Sequence, residues 1–247
     1  MLAIADLLGP AYPAWLHSLW DMASWLCALG VLLLIYRLRP QWFQGGTLGR
    51  AGRGYFIALS VGGLASAYLL GTANAWLSGH PAVSRSIVGG LFGAIVAVEL
   101  YKRAKGLRGS TGGLFAPALT LGIALGRLGC HVAGLADFTY GTPTEVAWAV
   151  DHGDGIDRHP VALYESAAMG LWLVVLLGSL WRSPTWLPRR GFYWTCLYYA
   201  GQRFVWEFFK PYAAIIGPFN LFHLVCAALL GYAALMLLRD SHATRSA

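Results

Sequence analysis

Long apolar runs separated by short basic segments dominate this chain. A transmembrane helix needs about 20 mostly apolar residues to cross roughly 30 Å of hydrocarbon, and seven runs reach or approach that length. Charged residues make up only 12% of the 247 residues, whereas soluble domains carry about 25%. The runs lie at 15–36, 55–77, 87–103, 112–135, 161–181, 191–209 and 216–238. This pattern predicts an all-α integral membrane protein of about seven transmembrane helices, built as a single polytopic domain over residues 1–247.

Lysine and arginine residues are distributed unevenly between the two sides of this predicted bundle. Thirteen of the eighteen follow the first, third, fifth and seventh runs, and three lie in the alternate connections. Because cytoplasmic loops are enriched in these residues, the N-terminus is predicted outside and the C-terminus in the cytoplasm. The net charge of +7 then needs no nucleic-acid partner. Segment 136–160 becomes an extracytoplasmic loop, long enough to indicate a function.

Several ionisable residues fall inside the predicted spans, where a charge is costly and therefore suggests a functional site. With the orientation above, residues from the fourth, fifth and sixth spans come to a similar depth in the outer half of the membrane. These residues are Arg127, His131, His159, Tyr164, Glu165, Arg203 and Glu207. Their convergence predicts one polar site near the outer surface.

Arg203 and Glu207 are spaced to meet on one helix face, and two interpretations of this pair stay open. The two side chains could form a structural pair, because buried charges usually have partners. Alternatively, Glu207 orients Arg203 toward an anion. Arginine suits phosphate because its planar guanidinium stays charged and binds two oxygens. Arg127 at the same depth therefore favours a phospholipid headgroup as the ligand.

Other residues of the predicted site allow both structural and functional interpretations. Gly126 and Gly129 flank Arg127 and would let either a helix or a lipid approach the backbone. Four residues are predicted as catalytic, with a histidine or the carboxylate as general base: His131, His159, Tyr164 and Glu165. His159 and Tyr164 could instead be interfacial residues satisfied by water. Cys130 is a candidate nucleophile that Arg127 would activate, or a small buried hydrophobic residue. The four cysteines lack metal-ligand spacing, so the sequence implies neither a metal nor a cofactor.

Four stretches, taken together and in this order, resemble the prolipoprotein diacylglyceryl transferase family of bacterial inner-membrane enzymes. They are GGLFG at 89–93, GRLG at 126–129, HPVALYE at 159–165 and RFVWEFFK at 203–210. Members of that family transfer a diacylglyceryl group from phosphatidylglycerol to a lipoprotein cysteine and release glycerol phosphate. The resemblance implies that Arg127 and Arg203 hold the donor phosphate and stabilise the departing anion.

The chain departs from the family pattern in two places. The family has a histidine where this chain has Val88, and it has Asn-Phe-x-Asn-Gly-Glu where this chain reads CHVAGL at 130–135. The missing groups would handle the acceptor or its proton. The resemblance therefore implies a divergent member that keeps the donor half of the site and alters the acceptor half.

The leading hypothesis is thus a multi-pass transferase of the bacterial inner membrane. Its donor is phosphatidylglycerol or a similar anionic phospholipid, and its acceptor is a lipoprotein cysteine or another nucleophile that the sequence does not identify. Loop 136–160 would act as a lid or acceptor platform. Two alternatives are a non-enzymatic phospholipid-binding membrane protein, which the loss of the histidine at Val88 favours, and a transporter. A transporter predicts polar groups through the full membrane depth, whereas here they gather in the outer half.

Overall fold

The computed structural model describes residues 14–44, 46–182 and 185–245, and it is helical almost throughout. Within these ranges eight α-helices follow one another: α1 (Ala14–Leu38), α2 (Gln41–Gln44), α3 (Gly46–Leu77), α4 (Ile87–Ala104), α5 (Ala116–Ala133), α6 (Val161–Arg182), α7 (Phe192–Trp206) and α8 (Leu221–Arg245). Short 3₁₀ turns lie at Gly113–Phe115, Gly134–Asp137 and Glu207–Phe209, and a π turn lies at Leu187–Gly191. The all-α prediction is confirmed.

Five stretches of the described chain are long and apolar enough to cross a membrane: His17–Leu38, Thr47–Leu77, Gly113–Asp137, Val161–Leu180 and Leu221–Ser241. They correspond to the first, second, fourth, fifth and seventh predicted spans, and they make the chain a multi-pass helical membrane protein. The third and sixth predicted spans are helical but fall outside this group. Helix α4 carries Glu99, Lys102 and Arg103 near its end, and α7 has only 15 residues.

Helix α5 lies at the centre of the bundle, and α1 and α3 lie at its edge. The α5 segment is mostly buried and packs against both α1 and α6, whereas few residues of α1 and α3 are buried. The exposed positions of these two helices carry large apolar side chains such as Trp25, Leu29, Ile57 and Leu64. An apolar surface of this extent is expected to face lipid.

The main apolar core joins α4 through α8. It contains Val88 and Leu91 from α4, Ile123 from α5, Met169 from α6 and Tyr199 from α7, with several α8 side chains packed against them. This packing explains why α7 is stable inside the bundle although it is short. Near its C-terminal end, Arg203 is held by an ion pair with Glu165 of α6.

Helices α3 and α4 approach each other closely through glycines. A Cβ placed on Gly93 would collide with the Ser66 side chain and with the backbone oxygen of Gly62. Small residues at such crossings bring two backbones together and increase their van der Waals contact. The glycines of 89–93 therefore serve helix packing, which is one of the two roles that the sequence allowed for this chain's glycines.

The connection 136–160 is an ordered loop built around a short hairpin. Strand β1 (Val150–Asp151) pairs antiparallel with β2 (Asp157–Arg158). The Asp151 carboxylate accepts backbone N–H bonds from Gly153, Asp154 and Gly155, which closes the turn. These bonds hold the Asp151 side chain within the turn.

Candidate functional site

Five buried charged side chains form one ion-pair network between α5, α6 and the end of α7. Glu165 lies at its centre, because its Oε2 is 2.7 Å from Arg127 Nε and its Oε1 is 2.5 Å from both Arg203 Nη1 and Lys210 Nζ. Arg203 Nη2 contacts Glu207 Oε1 at 2.6 Å. The predicted contact between Arg203 and Glu207 is therefore present, and the structure adds Glu165 and Lys210 to it.

The network carries more positive than negative charge. It contains three cations and two carboxylates, and each residue is at most 4% exposed to solvent. Buried charges are costly unless they are paired and hydrogen-bonded, and here both carboxylates are shared among the cations. One positive charge remains in excess, so the site is electrostatically suited to bind an anion.

Asn220, the residue directly before α8, binds one carboxylate of the network. Asn220 Nδ2 donates to Glu207 Oε2 at 3.1 Å. The same amide group uses its oxygen to accept the backbone N–H groups of Phe222 and His223, which is the bonding of a helix N-cap. Asn220 therefore fixes the start of α8 and the orientation of Glu207 together.

Sequence reasoning missed two members of this site. Lys210 was assigned to an outer connection, yet its side chain is buried between Glu165 and Glu207. Its position three residues after Glu207 was a signal, because such neighbours meet on a helical turn. Asn220 gave a weaker signal as a polar residue directly before an apolar run, which is typical of an N-cap.

The four residues predicted as catalytic lie in three different environments. Glu165 is fully buried among the cations described above. His159 Nδ1 lies 3.4 Å from the Tyr164 hydroxyl, and that hydroxyl accepts a 2.6 Å bond from the indole N–H of Trp148. His131 lies edge-on to His152, with ring centroids 5.6 Å apart. Their chemical roles stay predictions.

A small cavity brings two of these candidates together. It is lined by His131 and His159, with Cys130, Tyr140 and His152 among the other lining residues. It lies where the C-terminal end of α5 meets the loop 136–160. The two predicted histidine bases therefore share one polar cavity at the end of the helix that carries Arg127.

The side of this cavity that is formed by the loop 136–160 is stabilised by a second ion pair. Arg158 donates to both carboxylate oxygens of Asp154, at 2.6 and 2.7 Å, and its guanidinium lies over the Tyr140 ring. The hydrogen bonds from Arg158 lower the pKa of Asp154 and raise the pKa of Arg158. Burial and the nearby Arg158 charge lower the pKa of His152, which favours its neutral form at this wall.

The predicted glycines next to Arg127 lie against α1. A Cβ on Gly129 would come within 2.7 Å of the Trp20 Cβ, so a side chain there would push the two helices apart. Gly126 has more room, since the nearest atom is Ser24 Oγ at 3.8 Å. This geometry favours helix packing for Gly129. Val88, at the position of the family histidine, is fully buried in the apolar core.

The fold and site together define a multi-pass helical membrane protein with a buried, positively charged cluster. The sequence profile of the prolipoprotein diacylglyceryl transferase family matches residues 84–239, which include every member of the cluster. The chain therefore belongs to the prolipoprotein diacylglyceryl transferase family, as the resemblance predicted.

Individual relatives agree with this assignment. The phosphatidylglycerol–prolipoprotein diacylglyceryl transferase of Bordetella parapertussis is 36% identical over 151 residues, which are 58% of this chain and 53% of the relative. The protein of that name from Geobacter sulfurreducens is 34% identical over 144 residues, 55% and 54% of the two chains. The one from Bordetella avium is 32% identical over 189 residues, 70% and 69%. The chain spans about half the length of most of these curated relatives.

Proposed function

We propose that this chain transfers a diacylglyceryl group from phosphatidylglycerol to a nucleophile, with a prolipoprotein cysteine as the leading acceptor. The observation that carries the proposal is the excess positive charge of the buried network, which lies within the segment that matches the family. The names of the relatives supply the donor and the acceptor class.

The donor phosphate binds at Arg127. The ion pair with Glu165 uses Arg127 Nε and Nη1 lies 3.6 Å from Cys130 Sγ, so Nη2 takes part in neither contact and is the nitrogen that binds a phosphate oxygen. Arg203 uses both terminal nitrogens, one for Glu165 and one for Glu207. Arg203 therefore adds charge and rigidity, and Arg127 makes the direct contact.

The transfer step follows from this arrangement. The acceptor sulfur attacks the glyceryl carbon that carries the phosphate, so a C–S bond forms while the C–O bond to phosphate breaks. Glycerol phosphate leaves as an anion, and the cluster stabilises the charge that develops on it. The thiol proton passes to a base, for which His131 and His159 are the candidates because they line the same cavity. Glu165 is enclosed by three cations, and its role is to position those cations.

The topology that we propose has seven spans, an outside N-terminus and a cytoplasmic C-terminus in a bacterial inner membrane. The distribution of Lys and Arg supports it, and the odd number of spans agrees with termini on opposite sides. Helices α4 and α7 complete the count as spans that are stabilised by the surrounding helices. Loop 136–160 then lies outside the cytoplasm, where it can receive an exported acceptor.

The test uses purified protein in detergent with phosphatidylglycerol labelled in its headgroup and a synthetic prolipoprotein peptide. We expect release of labelled glycerol phosphate that depends on the peptide cysteine. Arg127→Ala should reduce the rate by about 10²–10³-fold, as for loss of one charged stabiliser of a departing anion. Arg127→Lys should retain part of the rate, and Arg103→Ala, an exposed cation at the end of α4, should retain all of it.

A specific observation favours the alternative function, a membrane protein that binds phospholipid without transferring it. Val88 replaces a histidine and is buried in the core, so a protein that binds phospholipid without transferring it would keep the cation cluster and tolerate this loss. Binding of labelled lipid that requires Arg127, without any release of glycerol phosphate, would refute the transferase and support the binding protein.

A further inference from the structure

A second cluster of polar side chains lies outside the ion-pair network, between α1 and the outer end of α5. His17 comes from α1, Cys130 from the last turn of α5, and Asp137 from the 3₁₀ turn that follows. Their ligand atoms all lie within 4.8 Å of one another. Nitrogen, sulfur and carboxylate oxygen are the ligand types of zinc sites, and three protein ligands with one open position are common in such sites.

Local backbone geometry explains how three distant residues meet. The chain reverses after α5 at Gly134, whose φ of 59° lies in the left-handed region, and this turn carries Asp137 back toward the helix end. The close approach of Trp20 to Gly129 brings α1 against α5, so that the His17 ring lies near Gly129 as well. The arrangement is thus fixed by packed backbone and not by flexible side chains alone.

Each of the three residues also has a partner that orients it. His17 has one ring nitrogen 3.8 Å from Asp137 Oδ1 and the other 3.8 Å from Asp21 Oδ1. Thr139 Oγ1 donates to Asp137 Oδ2 at 2.5 Å, which leaves Oδ1 directed toward His17. Arg127 Nη1 lies 3.6 Å from Cys130 Sγ. Outer groups of this kind, especially a carboxylate behind a histidine, orient the ligands of metal sites.

We propose that His17, Cys130 and Asp137 bind a divalent transition-metal ion of the zinc class. A thiolate, a carboxylate and a neutral imidazole carry two negative charges, which a divalent cation neutralises at a partly buried position. The site does not depend on the proposed transferase activity. His17 lies outside the segment that matches the family, and Cys130 stands where the family pattern has asparagine. The three-residue set is therefore a feature of this chain and not of the family pattern.

The test is cobalt binding to purified, metal-free protein in detergent, followed by absorption spectroscopy. Cobalt is a spectroscopic substitute for zinc, and a thiolate ligand gives an intense near-ultraviolet charge-transfer band. We expect one cobalt ion to bind per chain, and the charge-transfer band should grow until that ratio is reached. Zinc should displace the cobalt and remove the band. The band should be lost in Cys130→Ser, and binding should weaken at least tenfold in His17→Ala and in Asp137→Asn.

Matched variants separate the site from general effects. Cys27→Ser removes an exposed cysteine of α1, and His80→Ala removes an exposed histidine that stacks on Phe138. Both should keep the band and the stoichiometry. Zinc should raise the unfolding temperature of the parent and of these controls, but not of Cys130→Ser. Equal elution volumes of all metal-free variants in size exclusion confirm that they are folded.

Two results would overturn the proposal. One is a cobalt band that persists in Cys130→Ser, because the thiolate ligand would then come from elsewhere. The other is folded parent protein that binds no zinc or cobalt beyond the level of the His17→Ala variant. In that case His17 is a histidine paired with Asp21 and Asp137, without a metal.

Discussion

At the scale of single residues, Glu165 determines how the buried cations are arranged. It contacts Arg127, Arg203 and Lys210, which come from α5, α7 and the turn after α7. The sequence predicted that Glu165, Arg127 and Arg203 lie at one depth, and it assigned Glu165 a possible role as base. Its role as a base stays a prediction, and its contacts are also those of a carboxylate that balances buried cations, because three positive charges surround it.

Glu165→Gln should therefore destabilise the protein strongly. The amide has nearly the same shape but removes the charge shared by three cations, and breaking a buried ion pair on one side costs about 3–5 kcal/mol. The unfolding midpoint in detergent measures this loss. Glu145→Gln, at an exposed position of the loop 136–160, is the matched control and should unfold like the parent. An unchanged midpoint for Glu165→Gln would show that the network is not held by this carboxylate.

At the scale of elements, the packing of α3 against α4 depends on the missing side chain of Gly93. A methyl group there would meet the Ser66 side chain and the Gly62 carbonyl, and neither helix backbone can yield easily. We expect Gly93→Ala to destabilise the protein by about 1–3 kcal/mol through overpacking, measured as thermal unfolding in detergent.

Gly170→Ala is the control for that substitution. A Cβ at Gly170 in α6 has no atom within 4 Å, so the change should leave stability equal or raise it by up to about 1 kcal/mol through helix propensity. If Gly93→Ala and Gly170→Ala behaved alike, the close approach of α3 and α4 would not be a structural requirement.

At the scale of the whole molecule, the proposed topology places the two ends of the chain on opposite sides of the membrane. A fluorescent protein fused to the C-terminus should fluoresce, and alkaline phosphatase at the same position should be inactive, because the C-terminus is predicted in the cytoplasm. Alkaline phosphatase fused after Glu145 should be active. Activity at both positions, or at neither, would contradict seven spans with loop 136–160 outside.

The sequence by itself determined that this chain is a helical membrane protein of the prolipoprotein diacylglyceryl transferase family. Apolar runs, the scarcity of charge and four short motifs were sufficient, because span length and backbone hydrogen bonding in lipid leave few alternatives. The pair of Arg203 with Glu207 also followed from sequence, since helical spacing fixes it locally.

Only the tertiary structure decided which of the buried polar residues touch. Glu165 lies 38 positions from Arg127 and Arg203 alike, and Asn220 reaches Glu207 across a turn, so no local periodicity relates them. The same holds for His17, which meets Cys130 and Asp137 because α1 packs on α5 at Gly129. Contacts between segments depend on how helices pack in three dimensions, and a one-dimensional pattern places residues at a depth without choosing their neighbours.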